Sequence, residues 1–230
     1  MSLSKGVVLI TILLVAVVGI YLVDLFGLPG SPGSGEIPVL PAVEVRDYNG
    51  ERLDSIGDFR ENSIKGPQRV NISSYKLEVN GLVGSPRTYT YDELLARFPH
   101  YQKVVTLHCV EGWDVTILWE GILVKDILAD AGADPSAAIV IFRAYDGYST
   151  SLYKSYLEDQ NILLAYSMNN VTLPAARGYP FELVAEDRWG YKWIKWVTAM
   201  EVSNDQNYKG YWESRGYSNL GYLNRSFFGL

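Results

Sequence analysis

Apolar and polar residues alternate over several short stretches of the chain, with the period of two that is typical of half-buried strands. Residues 74–86, SYKLEVNGLVGSP, show this pattern, and Asn80-Gly81 predicts a tight hairpin turn within them. Residues 192–202, KWIKWVTAMEV, alternate Trp and Ile with Lys. Shorter apolar runs predict further strands at residues 103–109, 137–145, 162–170 and 179–187.

Helical spacing is confined to short segments. In residues 90–98, TYDELLARF, Thr90 and Glu93 have the capping-box spacing and predict a helix that ends before Pro99. Residues 121–132 have apolar side chains at helical spacing and stop at Gly132, and residues 151–159 are another candidate helix. Strands outnumber helices and do not alternate with them, so we predict a sheet-rich α+β fold without βαβ units.

The N-terminal segment differs in character from the rest of the chain. Residues 6–23 carry no charge, and as a helix they would span about 27 Å. Lys5 precedes them and mostly acidic residues follow, which favours a transmembrane helix with the body of the protein outside the cytoplasm. A cleaved signal peptide is the alternative. We therefore divide the chain into a membrane anchor or uncleaved signal (1–26), a Gly/Pro/Ser-rich linker (27–45) and one folded domain (46–230).

Composition narrows the classes of function. The net charge of the 230 residues is −6 and no basic stripe is present, so nucleic acid is not an expected partner. Cys109 is the single cysteine. One cysteine excludes an internal disulfide, an iron–sulfur cluster, a multi-cysteine zinc site and a Cys-x-x-Cys-His haem attachment.

Cys109 lies between an apolar strand and a loop, and its thiol has three interpretations. It is a small buried hydrophobic side chain, as free cysteines often are. It is a nucleophile, although His108 is poorly placed to deprotonate it because adjacent strand residues point to opposite faces, which leaves the distant His100. Or it is a thiolate ligand of a metal whose other ligands are not protein side chains. Residue type alone leaves all three open.

Four motifs in order bear on that choice. They are TLHCVEGW at 106–113, ILLAYSMNNVTLPAARGYPFELV at 162–184, GYKWIKWVTAMEV at 190–202 and GYWESRGY at 210–217. Together they resemble the sulfite-oxidase-type molybdopterin proteins, and within them the branch of the methionine sulfoxide reductase catalytic subunits. The resemblance covers roughly residues 58–220. It implies the sulfite-oxidase-type molybdopterin-binding fold and favours the metal-ligand interpretation of Cys109.

The resemblance also implies roles for particular residues. Cys109 would bind molybdenum that is chelated by the two dithiolene sulfurs of one pterin. Arg177, Lys192 and Lys195 would hold the phosphate of the cofactor, Mo-molybdopterin, and Trp193 and Ile194 would contribute backbone contacts. Asn62 would lie near the metal or the pterin. One departure is Glu182, where many relatives carry an arginine that binds the cofactor. Another is the lack of twin arginines in the leader, which leaves the export route open.

The expected reaction is two-electron oxygen-atom transfer at molybdenum. Glu111, two residues after Cys109, would repel sulfite, which favours reduction of a small neutral S-oxide or N-oxide with Glu111 as a proton source. A local hydrogen bond to the backbone or to Trp113 is the alternative role of Glu111. By position in the chain, Arg143, Asp146 and Tyr148 would line the substrate mouth.

Electrons must come from a separate partner, because the sequence has no haem or iron–sulfur motif. A haem-bearing membrane subunit or a small electron carrier is the expected partner, and a membrane anchor would raise its effective concentration. Two other functions are considered. One is a sulfite dehydrogenase, and the other is a non-catalytic membrane-anchored binding module that retains the fold.

Overall fold

The structure is a computed structural model that describes residues 43–229. The predicted membrane anchor, residues 1–26, and most of the predicted linker lie outside the described residues. Between residues 43 and 229 there is no helix with the length and apolar character needed to cross a membrane.

Two five-stranded sheets organise the domain. The first has the strand order β4-β3-β12-β7-β8, in which β3 and β12 are parallel and the other neighbours antiparallel. Its strands are β3 (Leu77–Gly81), β4 (Arg87–Tyr89), β7 (Ile139–Ala144), β8 (Ser149–Tyr153) and β12 (Val197–Ser203).

The second sheet is antiparallel and has the order β10-β9-β6-β5, with β11 also paired to β9. Its strands are β5 (Tyr101–His108), β6 (Asp114–Leu123), β9 (Leu163–Met168), β10 (Val171–Thr172) and β11 (Glu182–Val184). A small hairpin of β1 (Asp47–Tyr48) and β2 (Glu51–Arg52) precedes both sheets.

The helices are short. They are α1 (Tyr91–Arg97), α2 (Val124–Asp130) and α3 (Lys154–Asp159), and single 3-10 turns lie at Ala175–Arg177, Gly190–Lys192 and Glu213–Arg215. The capping box predicted for α1 is present, because the Thr90 side chain accepts from the backbone N–H of Glu93 and the Glu93 carboxylate accepts from that of Thr90. The sheet-rich α+β class predicted from the sequence is confirmed.

One hydrophobic core joins the two sheets. Trp119 from β6, Phe142 from β7 and Met200 from β12 are fully buried members of the same cluster. Burial of one such side chain stabilises the fold by about 1.5–3 kcal/mol relative to exposure. The core therefore holds fixed the loops at the ends of β5, β11 and β12, which carry the polar side chains described below.

Three local predictions were wrong in their boundaries. Asn80-Gly81 does not form a two-residue turn but ends β3, where a Cβ on Gly81 would lie 2.2 Å from the carbonyl oxygen of Val202. The helix predicted over 151–159 begins at Lys154, because the residues before it belong to β8. The strand predicted from residue 192 begins at Val197, after Trp196 adopts φ 52°. The backbone from Lys192 to Trp196 is therefore a turn and a loop.

Candidate active site

Cys109 lies in the turn between β5 and β6. Its backbone N–H donates to the carbonyl of Trp113 at 2.9 Å, and the N–H of Gly112 donates to the carbonyl of Cys109 at 3.1 Å. Gly112 has φ 85°, in the left-handed region that favours glycine. The Asn62 side chain places Nδ2 3.5 Å from Cys109 Sγ. The turn therefore fixes the sulfur through main-chain hydrogen bonds within the hairpin itself.

The thiol faces a cavity of about 410 Å³. This volume falls in the range of about 300–1,000 Å³ that is common for cofactor and ligand sites. Three segments form most of its walls: residues 59–64, the Cys109 turn and the loop 190–196. Separate residues along the chain, among them Asp146, Arg177 and Glu182, complete the walls. The lining includes Asn62, Cys109, Glu111, Asp146, Tyr148, Arg177, Glu182, Trp193 and Lys195. The purely space-filling interpretation of Cys109 is thus not supported.

The thiol environment is only partly polar. Burial raises the pKa of Cys109, and the nearby charge of Glu111 raises it further. The backbone N–H groups of Glu111 and Val110 and the side chain of Asn62 lower it, but burial outweighs them. The free thiol is therefore protonated at neutral pH, and a metal that binds the sulfur would displace that proton.

Arg177 is held against the segment 59–64. Its guanidinium donates to the backbone carbonyls of Phe59 and Arg60, both at 3.0 Å, and lies 4.5 Å from the centroid of the Phe59 ring. The residue is 9% exposed, and burial lowers its pKa from the usual value. Two of its five N–H donors serve the wall of the cavity, so others remain for an occupant.

Lys195 and Glu182 meet around Gly178. A Cβ on Gly178 would lie 2.9 Å from Cβ of Glu182 and 3.3 Å from Cβ of Lys195, and Gly178 itself has φ 93°. Nζ of Lys195 lies 2.7 Å from Oε1 of Glu61. The glycine therefore leaves room for the side chains of Glu182 and Lys195 to start side by side at the cavity wall.

Three predicted site residues do not line the cavity. Lys192 is 0% exposed, and its Nζ lies 2.6 Å from Oε1 of Glu213 and 2.9 Å from the carbonyl of Asn219. Ile194 is buried in the core. Arg143 is exposed on β7, where it pairs with Glu201 at 2.8 Å. Lys192 and Arg143 are therefore each paired with a carboxylate away from the cavity, contrary to the arrangement expected from the sequence.

The other predicted residues lie at the cavity as expected. Glu111 is exposed at its rim, and Trp113 Nε1 donates to Glu111 Oε2 at 3.4 Å, so the alternative hydrogen bond is also present. Asp146 is buried and accepts from the backbone N–H of Tyr148 at 2.9 Å. The Tyr148 hydroxyl donates to the carbonyl of Tyr191. Burial raises the pKa of Tyr148 well above its usual value, so its hydroxyl stays neutral.

Neither histidine belongs to the cavity lining given by residues 43–229. His108 Nδ1 lies 3.7 Å from Asp114 Oδ2, and His100 contacts the hydroxyl of Tyr166 and the carbonyl of Leu95. The contacts of the two imidazole rings are with these groups and not with Cys109, so neither ring is placed to deprotonate the thiol.

Sequence reasoning missed several cavity residues. They are Phe59, Glu61, Ser63, Trp196, Trp212 and Tyr217. The aromatic enrichment of the C-terminal half was a signal for Trp212 and Tyr217. Gly190 lies where the loop 190–196 packs closely on the cysteine turn, since a Cβ there would lie 3.3 Å from the carbonyl oxygen of His108. A glycine at the start of that loop was therefore a sequence signal for the close approach.

A lone thiol at a cavity that is also lined by cations and aromatic rings is typical of a cofactor-binding site. Residues 64–212 match the family described as oxidoreductase molybdopterin binding domain, and the chain belongs to that family.

Relatives in this family support that assignment. The chain is 36% identical over 154 residues to the provisionally named protein-methionine-sulfoxide reductase subunit YedZ1 of Azospira oryzae, covering 67% of this chain and 58% of that protein. It is 31% identical over 152 residues to the uncharacterized oxidoreductase YuiH of Bacillus subtilis, covering 66% and 76%. It is 28% identical over 191 residues to the protein-methionine-sulfoxide reductase catalytic subunit MsrP of Gluconobacter oxydans, covering 76% and 60%. The chain thus spans about three fifths of the length of two of these relatives.

A solved structure supports the fold. The sulfane dehydrogenase SoxCD of Paracoccus pantotrophus superposes with a TM-score of 0.62 at 24% identity, covering 70% of this chain and 44% of that chain. The sulfite-oxidase-type fold expected from the sequence motifs is thereby confirmed for the described domain.

Proposed function

We propose that the domain binds Mo-molybdopterin through Cys109 and catalyses two-electron oxygen-atom transfer, in the direction of reduction of a neutral S-oxide or N-oxide. The observation that carries the proposal is the position of the single thiol, fixed by its hairpin turn and facing a cavity of about 410 Å³. When bound, the molybdenum would supply the two-electron redox chemistry that protein side chains lack.

The residues present fit such a cofactor. Cys109 offers one anionic sulfur donor once deprotonated, and Asn62 Nδ2 lies at 3.5 Å to orient that sulfur. Arg177 and Lys195 supply cations for the phosphate. Two buried oxygens at the cavity, Oγ of Ser63 and Oε2 of Glu182, have no protein partner among residues 43–229. Buried polar atoms without a partner are rare and are consistent with a polar occupant.

The charge of the cavity favours a neutral substrate. Its basic side chains are Arg60, Arg177 and Lys195, and its acidic side chains are Glu61, Glu111, Asp146 and Glu182. Arg177 and Lys195 would bind the cofactor phosphate, which leaves Glu111 as the charged group next to the cysteine turn, and there a dianion such as sulfite would meet repulsion. Glu111, exposed at the rim next to the cysteine turn, would relay protons from solvent to the oxygen that leaves the substrate.

The chain's division and location also belong to this proposal. Residues 1–26 would anchor the domain in a membrane, residues 27–45 would act as a spacer, and residues 46–230 would form the catalytic domain on the extracytoplasmic side. A separate electron-transfer partner, such as a haem-bearing membrane subunit, would then supply electrons. The names of the relatives from Azospira and Gluconobacter, which describe subunits, are consistent with a partner.

Metal analysis and substrate assays of the full chain test the proposal. We expect one molybdenum and one pterin per chain, and turnover with methionine sulfoxide or trimethylamine N-oxide rather than with sulfite. Cys109→Ala should lose molybdenum and activity, while its circular dichroism and thermal unfolding remain close to those of cofactor-free wild type. Preferential turnover of sulfite would indicate a sulfite dehydrogenase instead. Protein that stays free of metal and pterin in a host that makes the cofactor would indicate a binding module.

A further inference from the structure

Glu182 places a buried carboxyl group at the wall of the cavity. Glu182 begins β11, is 3% exposed and lines the cavity. Its Oε2 atom receives no hydrogen bond from the part of the chain that the structure describes. An ionised carboxylate is unfavourable in such a place unless a donor reaches it. The group therefore requires either a proton of its own or a ligand beside it.

The nearest cations, Arg177 and Lys195, make their hydrogen bonds within the described residues to other groups than Glu182. Arg177 donates to the carbonyls of Phe59 and Arg60, and Lys195 pairs with Glu61. Both influence Glu182 through their charge without hydrogen-bonding to it. Burial raises the pKa of Glu182 to about 7, while Lys195 and Arg177 act in the opposite direction. Near neutral pH the side chain is therefore readily available as a carboxylic acid, which has one O–H donor.

We propose that Glu182 is a proton-carrying ligand of an anionic group: with Arg177 and Lys195 it binds a phosphate, donating its O–H to a phosphate oxygen, so that binding takes up one proton. The identity of that phosphate as the one on the pterin rests on the function proposed above. Many relatives carry an arginine at this position, which is a permanent cation. Glu182 would instead donate a hydrogen bond only while its carboxyl group is protonated.

The neighbouring charges favour this form of binding over the alternatives. A cationic ligand group would be repelled by Arg177 and Lys195, and an ionised Glu182 would repel a phosphate. The protonated acid avoids both repulsions. The groups that face Glu182 are Arg177 on the 175–177 turn, Lys195 on the 190–196 loop and, through Lys195, Glu61 on the 59–64 segment. The other titratable groups at the cavity are Arg60, Cys109, Glu111, Asp146, Tyr148, Tyr191 and Tyr217.

Calorimetric titration with sulfate tests the proposal, because sulfate is a tetrahedral dianion that does not itself titrate near neutral pH. The full chain is purified without cofactor and titrated at pH 6 and pH 8 in two buffers of different ionisation enthalpy. At pH 8 wild type should take up about one proton per sulfate, and its affinity should fall by about tenfold per pH unit above the pKa. Glu182→Gln, which keeps a donor at every pH, should bind with equal affinity at both pH values and take up no proton.

A matched control distinguishes Glu182 from the other acidic group near Lys195. Glu61→Gln should retain the proton uptake and the pH dependence of wild type. Absence of sulfate binding, binding by wild type without proton uptake, or unchanged uptake in Glu182→Gln would overturn the proposal.

The holoprotein gives a second readout that separates this inference from the proposed function. Pterin loss on dialysis should be faster at pH 8 than at pH 6 in wild type, and equally slow at both in Glu182→Gln. Rapid loss from Glu182→Gln at both pH values would show that a carboxylate accepts from the pterin instead, and would overturn the inference. If wild type purifies without pterin from a competent host, the proposed function fails, while the sulfate titration still decides the role of Glu182.

Discussion

Lys192 and Lys195 lie three residues apart, yet their ammonium groups have different surroundings. Lys192 and its partner Glu213 are both fully buried, and Glu213 Oε1 also accepts from the hydroxyl of Thr150. Lys195 and its partner Glu61 retain 12% and 26% of their side-chain exposure at the cavity. The first pair joins β8, the 190–192 turn and the C-terminal segment, whereas the second leaves a cation within reach of an occupant. Equal charge and proximity in sequence therefore do not imply an equal role.

The largest effect should come from breaking the buried pair. Lys192→Met leaves the Glu213 carboxylate buried without its cation, and we expect a loss of about 3–5 kcal/mol in the free energy of unfolding. Lys195→Met should cost less, because its partner Glu61 keeps 26% of its side-chain exposure and water can solvate the carboxylate that is left. Urea denaturation of both variants measures the difference. Equal losses in the two variants would contradict the distinction drawn between the pairs.

The buried carboxyl group of Glu182 should make stability depend on pH. Its pKa is raised from 4.5 to about 7 in the folded chain, so the folded state binds more protons than the unfolded state between these values. The contribution of Glu182 to stability is thus full below pH 4.5 and is lost as the pH rises through 7. Without cofactor, we expect wild type to lose up to about 3 kcal/mol relative to Glu182→Gln between pH 4.5 and pH 8. Denaturation of both proteins across this range measures the difference, and parallel stability curves would contradict it.

Arg177 lies between these two cases, because it is buried, belongs to the cavity and bonds to neutral carbonyls. Arg177→Lys should lose at least one of its two bonds to the 59–64 segment together with the stacking on Phe59, a cost of about 2 kcal/mol. We expect faster amide hydrogen exchange in residues 59–64 and a lower pterin content. Exchange at α1, which is remote in sequence and closed by its own capping box, is the internal control and should not change.

The smallest effect should come from the surface. Arg143 and Glu201 are 48% and 36% exposed at their side chains, and such pairs contribute about 0.2–1 kcal/mol. Arg143→Ala should therefore change stability by less than about 1 kcal/mol and leave the Michaelis constant for the oxide substrate unchanged. A marked rise in that constant would show that Arg143 contributes to substrate binding, as expected from its position in the sequence.

The sequence predicted the local elements well where one short-range rule decides the structure. The Thr90–Glu93 capping box is present, and the strand predicted over residues 103–109 forms with its end one residue earlier, at His108. The family resemblance implied cofactor contacts for Cys109, Asn62, Arg177 and Lys195; all four line one cavity, and their roles there stay a prediction.

Predictions failed where a contact distant in sequence decides the structure. Lys192 points to Glu213 and Asn219, which the sequence does not reveal as its neighbours. The strand predicted from residue 192 is interrupted by the positive φ of Trp196, whose ring N–H donates to the carbonyl of Ala175 at 2.7 Å. Which lysine reaches the cavity is decided by ion pairs with residues distant in sequence, and not by the alternation of apolar and polar residues along the chain.

The cysteine turn also bears on how the protein matures. The hydrogen bonds that shape residues 109–113 run between backbone atoms of the same hairpin, and none of them requires a ligand. In zinc fingers, by contrast, the metal must be present before the chain can fold. Here we expect the opposite order. The chain folds first, and the proposed cofactor then binds to a site that is already formed. Protein without cofactor should therefore stay folded.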